Sequence, residues 1–325
     1  MKNSNNSLYP LVFTPIYKEK IWGGGKISKS LRRPGAPREN CGESWEISTI
    51  PNNVSIVKGG CLGGLPLDTI IKGYKDQLVG QKVYDEFGAQ FPLLIKYIDA
   101  HKDLSIQVHP DNELAMKRHN CKGKTEMWYI MEAEKNAKIT KGFNKPMVQS
   151  DYKSLLSNIG SIFKKVKVTK GDTVFIPAGT VHAIGKGVLL AEIQQSSDVT
   201  YRIYDYERKD AVGHKRRLHV NQAQAAISYD DNSYIKHADK YDPSSLVNCP
   251  FFKTNKVNIT QEVLRDYSSI DSFVVYMMLE GSVKLKTKDN KDILLKRGDT
   301  CLIPACIDFS IIEPLEETKM LEIHC

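Results

Sequence analysis

Short runs of β-branched and aromatic residues recur along the chain, separated by turns rich in Gly, Pro and Asp. Residues 126–131, 164–168, 173–176, 188–193, 273–278 and 301–303 are examples. Their length and side-chain shape are those of strands, so the pattern predicts a mainly β protein with a few short helices. Helical spacing is rarer. Over residues 68–87 apolar side chains stand at 70, 71, 74, 78 and 83 behind an Asp suited to an N-cap, which predicts one long helix. Residues 111–118 and 151–158 predict two shorter helices that also begin on Asp, and 220–229 a fourth.

The strand pattern repeats. The run KGDTVFIPA at 170–178 returns as RGDTCLIPA at 297–305, and MWYIMEAEKNAKI at 127–139 parallels FVVYMMLEGSVKL at 273–285. Two blocks recurring in the same order imply two copies of one small β-barrel. The boundary is expected in the polar stretch 230–250. This divides the chain into a first domain, 1–235, with the helical segments, and a second barrel, 236–325.

Length and composition narrow the class. A chain of 325 residues suits two domains, and 41% hydrophobic with 26% charged residues is globular composition. No run approaches the roughly 18–20 apolar residues that cross a bilayer, so no membrane partner is expected. The first residues are polar and lack an apolar segment with a cleavage site, so no signal peptide is expected. Seven scattered cysteines, an odd count without paired spacing, point to a reducing cytoplasm rather than a disulfide framework. Net charge is +8, but basic residues are dispersed, with short clusters only at Lys164-Lys165 and Lys215-Arg216-Arg217. Without stacking aromatics among them, nucleic acid is not the expected partner, whereas an anionic small molecule is. A monomer or weak homodimer is expected.

The first copy carries a candidate metal site. Gln107 and His109 are two apart at a strand end and so share a face. Glu126 opens the next apolar strand, and His182 follows the repeated Ile-Pro-Ala. Two imidazoles, a carboxylate and an amide oxygen suit a borderline ion such as Zn²⁺, with room for a further ligand. The second copy is an internal control. Aligned by the repeat, Phe309 stands at the position of His182 and Ser272 at that of Glu126. The strands therefore form without ligand residues, and those of the first copy are additions to the fold.

The runs LSIQVHPD at 104–111, KTEMW at 124–128 and PAGTVH at 177–182 together resemble the type I mannose-6-phosphate isomerases, zinc enzymes of the cupin fold. IWGG at 21–24 and GESWEIS at 42–48 are similar to compact bacterial members, so the resemblance spans nearly the whole chain. It implies two cupin-type jelly-roll barrels, one Zn²⁺ held by Gln107, His109, Glu126 and His182, and a sugar phosphate as substrate. The run QQSSDVTYR at 194–202 matches a rim where the family has Asp and Arg four apart, which implies roles for Asp198 and Arg202. Many members have a histidine where Gly123 stands, and its role does not transfer.

The implied reaction interconverts mannose 6-phosphate and fructose 6-phosphate through an enediolate, with a base in reach of the C1/C2 proton. Lys124, two residues from Glu126, is a candidate proton carrier or substrate cation. Glu192, Asp198 and a metal-bound water compete as base. Arg202 is a candidate for enediolate charge or phosphate, Ser105 for phosphate or hydroxyl, and Trp22 and Trp45 for walls of a sugar pocket. His101, His119, His214, His219, His237 and His324 carry no ligand pattern. Two other readings stand beside this one. An iron-dependent cupin oxygenase would also use two His and a carboxylate, although Gln107 as an extra ligand counts against it. A sensor that binds sugar phosphate without turnover would lack the chemistry altogether.

Overall fold

In the computed structural model, the described residues are 8–33, 35–152, 162–209, 212–230, 232–238, 244–288 and 292–325. Strands dominate. In chain order they are β1 (Leu11–Thr14), β2 (Ile16–Gly24), β3 (Cys41–Ile47), β4 (Thr49–Ile50), β5 (Asn53–Val54), β6 (Ile56–Val57), β7 (Leu93–Ala100) and β8 (Ile106–Val108). Then come β9 (Glu126–Ala133), β10 (Lys138–Phe143), β11 (Phe163–Lys167), β12 (Thr173–Ile176), β13 (His182–Ile184), β14 (Val188–Gln195), β15 (Tyr201–Tyr204) and β16 (Tyr234–Lys236). The last are β17 (Ser245–Asn248), β18 (Lys253–Ile259), β19 (Val263–Asp266), β20 (Val274–Glu280), β21 (Ser282–Lys286), β22 (Ile293–Lys296), β23 (Thr300–Ile303), β24 (Phe309–Pro314) and β25 (Thr318–His324). The helices are α1 (Lys26–Lys29), α2 (Leu67–Tyr74), α3 (Asp76–Val79), α4 (Gln81–Phe87), α5 (Asn112–His119) and α6 (Val220–Ala226).

The long helix expected over 68–87 is broken into α2, α3 and α4. Lys75 at φ 51° and Gly80 at φ 90° interrupt it, since neither angle continues a right-handed helix. The short helix at 111–118 forms as α5, capped by Asp111, whose side chain accepts the Leu114 amide at 2.8 Å. The helix expected at 220–229 stops at Ala226, where Ile227 turns extended. Most of the helix expected at 151–158 lies outside the described residues.

The chain divides into two compact units, Met1–Ile16 with Trp45–Leu94 and Pro243–Cys325, and Tyr17–Ser44 with Ile95–Asp242. One boundary falls in the polar stretch 230–250, but the expected single cut at 235/236 is too simple. N-terminal segments belong to the C-terminal unit because β1 pairs with β23, Leu11 opposite Leu302. Fold order and chain order therefore differ.

Within each unit the same arrangement recurs. In the second unit one sheet runs β16-β12-β9-β14-β7-β3-β2 and the other β11-β10-β13-β8-β15. In the first unit the sheets run β17-β18-β25-β20-β23-β1-β6 and β19-β24-β21-β22. The order β12-β9-β14-β7 matches β23-β20-β25-β18, as β11-β10-β13-β8 matches β22-β21-β24-β19. The repeat read from sequence is thus a repeat of topology. Closed barrels were expected; the hydrogen-bonded ladders instead end in open sheets, and apolar side chains join each pair. In the second unit Trp128, Ile130, Val174 and Ile98 of one sheet pack with Ile139 and Ile184 of the other. No helix of the described residues is long and apolar enough to cross a membrane.

Candidate metal centre

The centre is built in the second unit, where a row of side chains crosses the five-stranded sheet. His182 of β13 lies opposite Gln107 of β8, Lys141 of β10 opposite His182, and Arg202 of β15 opposite Gln107. Directly paired residues share a face, so Lys141, His182, Gln107 and Arg202 form one rung. His109 follows two residues after Gln107 on the same side. The neighbouring Ile106 and Val108 point the other way, into an apolar cluster with Val181, Tyr201 and Ile203. Glu126 comes from the larger sheet, as the first residue of β9, paired with Ile176 and Gln194.

Glu126 Oε2 lies 3.5 Å from His109 Nε2, and Oε1 3.3 Å from His182 Nε2. The candidate ligand atoms of His109, Glu126 and His182 all fall within 4.8 Å of one another, and all three residues are buried. Gln107 brings its amide to 3.4 Å from His182 Nε2; half a turn of the amide presents its oxygen there.

His109 Nε2 and both Glu126 carboxylate oxygens are buried without a hydrogen-bond partner, a costly state for polar atoms. The other ring nitrogens are satisfied: His109 Nδ1 by the Val199 carbonyl and His182 Nδ1 by the Thr180 carbonyl, each at 2.9 Å. Each carbonyl accepts the Nδ1 proton and leaves a lone pair on Nε2 aimed at Glu126. That is the outer-shell arrangement of metal-bound histidine. Burial holds His182 down at about 4 and, with the Lys124 charge, holds His109 well below the ordinary imidazole value. Both rings are neutral and ready to ligate. Burial and the Glu192 charge raise Glu126 to about 7, against the pull of Lys124 and Lys96. These residues fit a divalent cation.

Of the other residues expected at the site, Lys124 is buried with Nζ 3.5 Å from Glu126 Oε2. Ser105 is buried and its Oγ accepts from Arg202 Nε at 3.3 Å. Arg202 is half-buried, and Asp198 is exposed in the loop between β14 and β15. The tryptophans are not brought to this centre. Trp22 is packed in the core with Ile98, Ala100 and Trp128, and Trp45 with Ile50 and Leu94. Burial to 4% and 5% exposure leaves no ring face for a sugar, which corrects the expectation of pocket walls. His119 bonds the Tyr201 hydroxyl at 2.7 Å, and among the described residues neither it nor His101 joins the cluster.

Sequence reasoning missed Lys96. Its Nζ lies 2.9 Å from Glu192 Oε2 and 2.8 Å from Gln194 Oε1, wholly buried. Trp128 Nε1 donates to Glu192 Oε1 at 3.1 Å while its indole meets the His182 ring edge-on at 5.5 Å. Burial works against the charge of Lys96, but Glu192 outweighs it and raises the lysine pKa; Glu192 is lowered in turn. The signal was present: Lys96 is the single charge in the apolar run Leu93-Leu94-Ile95-Lys96-Tyr97-Ile98. Gly123 has a steric reason. A Cβ there would stand 2.7 Å from the Asn112 nitrogen, so this backbone has no place for a histidine.

The family model for the catalytic domain of type I phosphomannose isomerase matches residues 11–140. The mannose-6-phosphate isomerase of Streptococcus mutans is 34% identical over 304 residues, 92% of this chain and 93% of that protein. Mannose-6-phosphate isomerase ManA of Bacillus subtilis is 35% identical over 303 residues, 91% and 93% of the two chains. The chain belongs to the type I mannose-6-phosphate isomerase family. The crystal structure of the Bacillus subtilis mannose 6-phosphate isomerase superposes with a TM-score of 0.85 at 32% identity, covering 97% of this chain and 99% of that one. Membership makes the protein an enzyme of the isomerase family, and the matched region contains Gln107, His109 and Glu126.

Proposed function

We propose that this enzyme is a zinc-dependent aldose–ketose isomerase that interconverts mannose 6-phosphate and fructose 6-phosphate through an enediolate. The observation that carries this reading is the buried His–Glu–His cluster, in which His109 Nε2 and both Glu126 oxygens lack a hydrogen-bond partner while the Nδ1 of each histidine is fixed by a backbone carbonyl. Gln107, His109, Glu126 and His182 would hold one Zn²⁺, which supplies a Lewis acid that polarises a sugar carbonyl. Lys124, in the same water-poor interior, is suited to carry a proton between C1 and C2 or to hold a substrate oxyanion. Arg202, beside Gln107 on the shared rung, is suited to offset enediolate charge. Ser105 would fix a hydroxyl or phosphate oxygen, and Asp198 would act from the rim. Glu192 is the weaker base candidate because Lys96 holds its carboxylate. Each paired-sheet unit is a cupin-type jelly roll in this reading, the ligand-bearing copy catalytic and the other structural. Free thiols at all seven cysteines suit a cytoplasmic enzyme.

A coupled assay with mannose 6-phosphate, with and without chelator, tests the reading. Turnover should vanish with chelation and return with zinc. Stoichiometric iron with oxygen uptake would favour an oxygenase instead, and sugar-phosphate binding without isomerisation a sensor. His182→Ala should lose both metal and activity while circular dichroism stays that of a folded chain. Retained activity would refute the site.

A further inference from the structure

The basic cluster Lys215-Arg216-Arg217 has no part in the chemistry above, yet it lies in the segment that pins Arg202. Arg202 is held four ways. Its amide donates to His219 Nδ1 at 3.2 Å and its carbonyl accepts from the His219 amide at 2.7 Å. Its Nη1 donates to the Arg217 carbonyl at 2.9 Å and its Nε to Ser105 Oγ at 3.3 Å. Three of the four contacts come from residues 217–219, two to the Arg202 backbone and one to its guanidinium, so a segment that belongs to no strand shares with Ser105 the placing of the guanidinium. An irregular segment holds a side chain only if something holds the segment.

Arg216 supplies that anchor. It forks onto Asp205, Nε to Oδ2 at 2.8 Å and Nη2 to Oδ1 at 2.5 Å. Asp205 is buried just past the end of β15 and also accepts Arg208 Nη2 at 2.5 Å. Arg208 Nε returns to the Asp205 carbonyl at 3.2 Å, which ties the turn to the same carboxylate. Planar guanidinium forks on one carboxylate are directional as well as strong. Burial alone would raise the Asp205 pKa, but the two guanidiniums outweigh it and keep the carboxylate ionised. Its charge also offsets a conflict, because Arg216 acts on Arg202 as a like charge in a desolvated place.

We propose that Asp205 is the positioning residue for Arg202: through its forked pair with Arg216 it fixes residues 216–219 against β15, and so fixes the guanidinium against Ser105, from the strand position paired with Gln107. The inference rests on the reading that Arg202 acts in the reaction. Asp205 touches no substrate; it sets where a charge stands.

A double-mutant cycle tests this on the zinc-loaded enzyme with mannose 6-phosphate. Asp205→Asn should lower kcat by roughly tenfold or more, the scale of a lost charge-assisted contact, with KM and metal content little changed. In an Arg202→Ala background the same substitution should add nothing, because its effect runs through Arg202. Equal decrements in both backgrounds would overturn the proposal and assign Asp205 to general stability. An Arg202→Ala enzyme of full turnover would instead remove the role of Arg202 and the positioning role with it, so the two failures are distinguishable. Hydrogen exchange gives a second readout independent of turnover: the His219 amide should exchange faster in Asp205→Asn, and unchanged protection would overturn the clamp. If Asp205→Asn does not fold, Arg216→Lys keeps the charge and removes the fork, and it should show the same non-additivity.

Discussion

At the scale of single residues the centre is set by which atoms are left without partners. His109 and His182 each spend one nitrogen on a backbone carbonyl, while neither Glu126 oxygen has a hydrogen bond and Lys124 Nζ stands 3.5 Å from Oε2. The raised Glu126 pKa, about 7, makes metal binding compete with a proton. Affinity should therefore climb roughly tenfold per pH unit up to about 7 and level off above it, with one proton released below that point. Competition titrations across this range check it; a flat profile would mean that Glu126 is already ionised. In the metal-free chain the same shifts act on stability with opposite signs. The Glu126 contribution is present below the ordinary carboxylate range and lost as pH rises through about 7. The His182 contribution is present above the ordinary imidazole value and lost as pH falls through about 4. Gly123→His should cost stability rather than add a catalytic group, because its Cβ would meet the Asn112 backbone; thermal melting of the variant decides.

At the scale of elements, β7 and β14 carry a buried ion pair that also orders the centre. Lys96 and Glu192 sit opposite in charge with Gln194 and Trp128 completing the contacts. Removing one partner leaves an uncompensated buried charge, so Lys96→Met should cost about 3–5 kcal/mol in denaturant unfolding. Lys96→Met with Glu192→Met should recover much of that loss, since an apolar pair of similar volume has no charge to desolvate. A double variant as unstable as the single would show that the pair is not the origin of the cost. Elements were unevenly legible in the sequence. The strand at 173–176 was readable to the residue, because a β-branched and aromatic run stands between the Gly-Asp turn and Pro177. The helix over 68–87 was not, because its apolar spacing continues through Lys75 and Gly80 while the backbone turns left-handed at both.

At the scale of the whole molecule, one topology is used twice for different ends. The first unit, with Ser272 and Phe309 at the positions of Glu126 and His182, carries a polar network of its own: Tyr276 bonds Glu322 at 2.8 Å, Tyr267 bonds Tyr276 at 2.8 Å, and Arg265 forks onto Glu322. Tyr276→Phe should lower stability by about 1–3 kcal/mol as buried partners go unpaired, while metal stoichiometry and KM stay those of the parent. Loss of metal in that variant would show that the copies are not independent in function.

The sequence by itself determined the strand-rich class, the duplication and the four candidate ligands. These rest on local periodicity and on residue chemistry, which a linear pattern records. Only the tertiary structure decided that β1 joins the C-terminal unit, that Lys96 faces Glu192, that the tryptophans are core, and that Asp205 stands under Arg202 through Arg216. Each of these depends on which distant strands pair and how far burial strips water from a charge. No spacing along the chain encodes that.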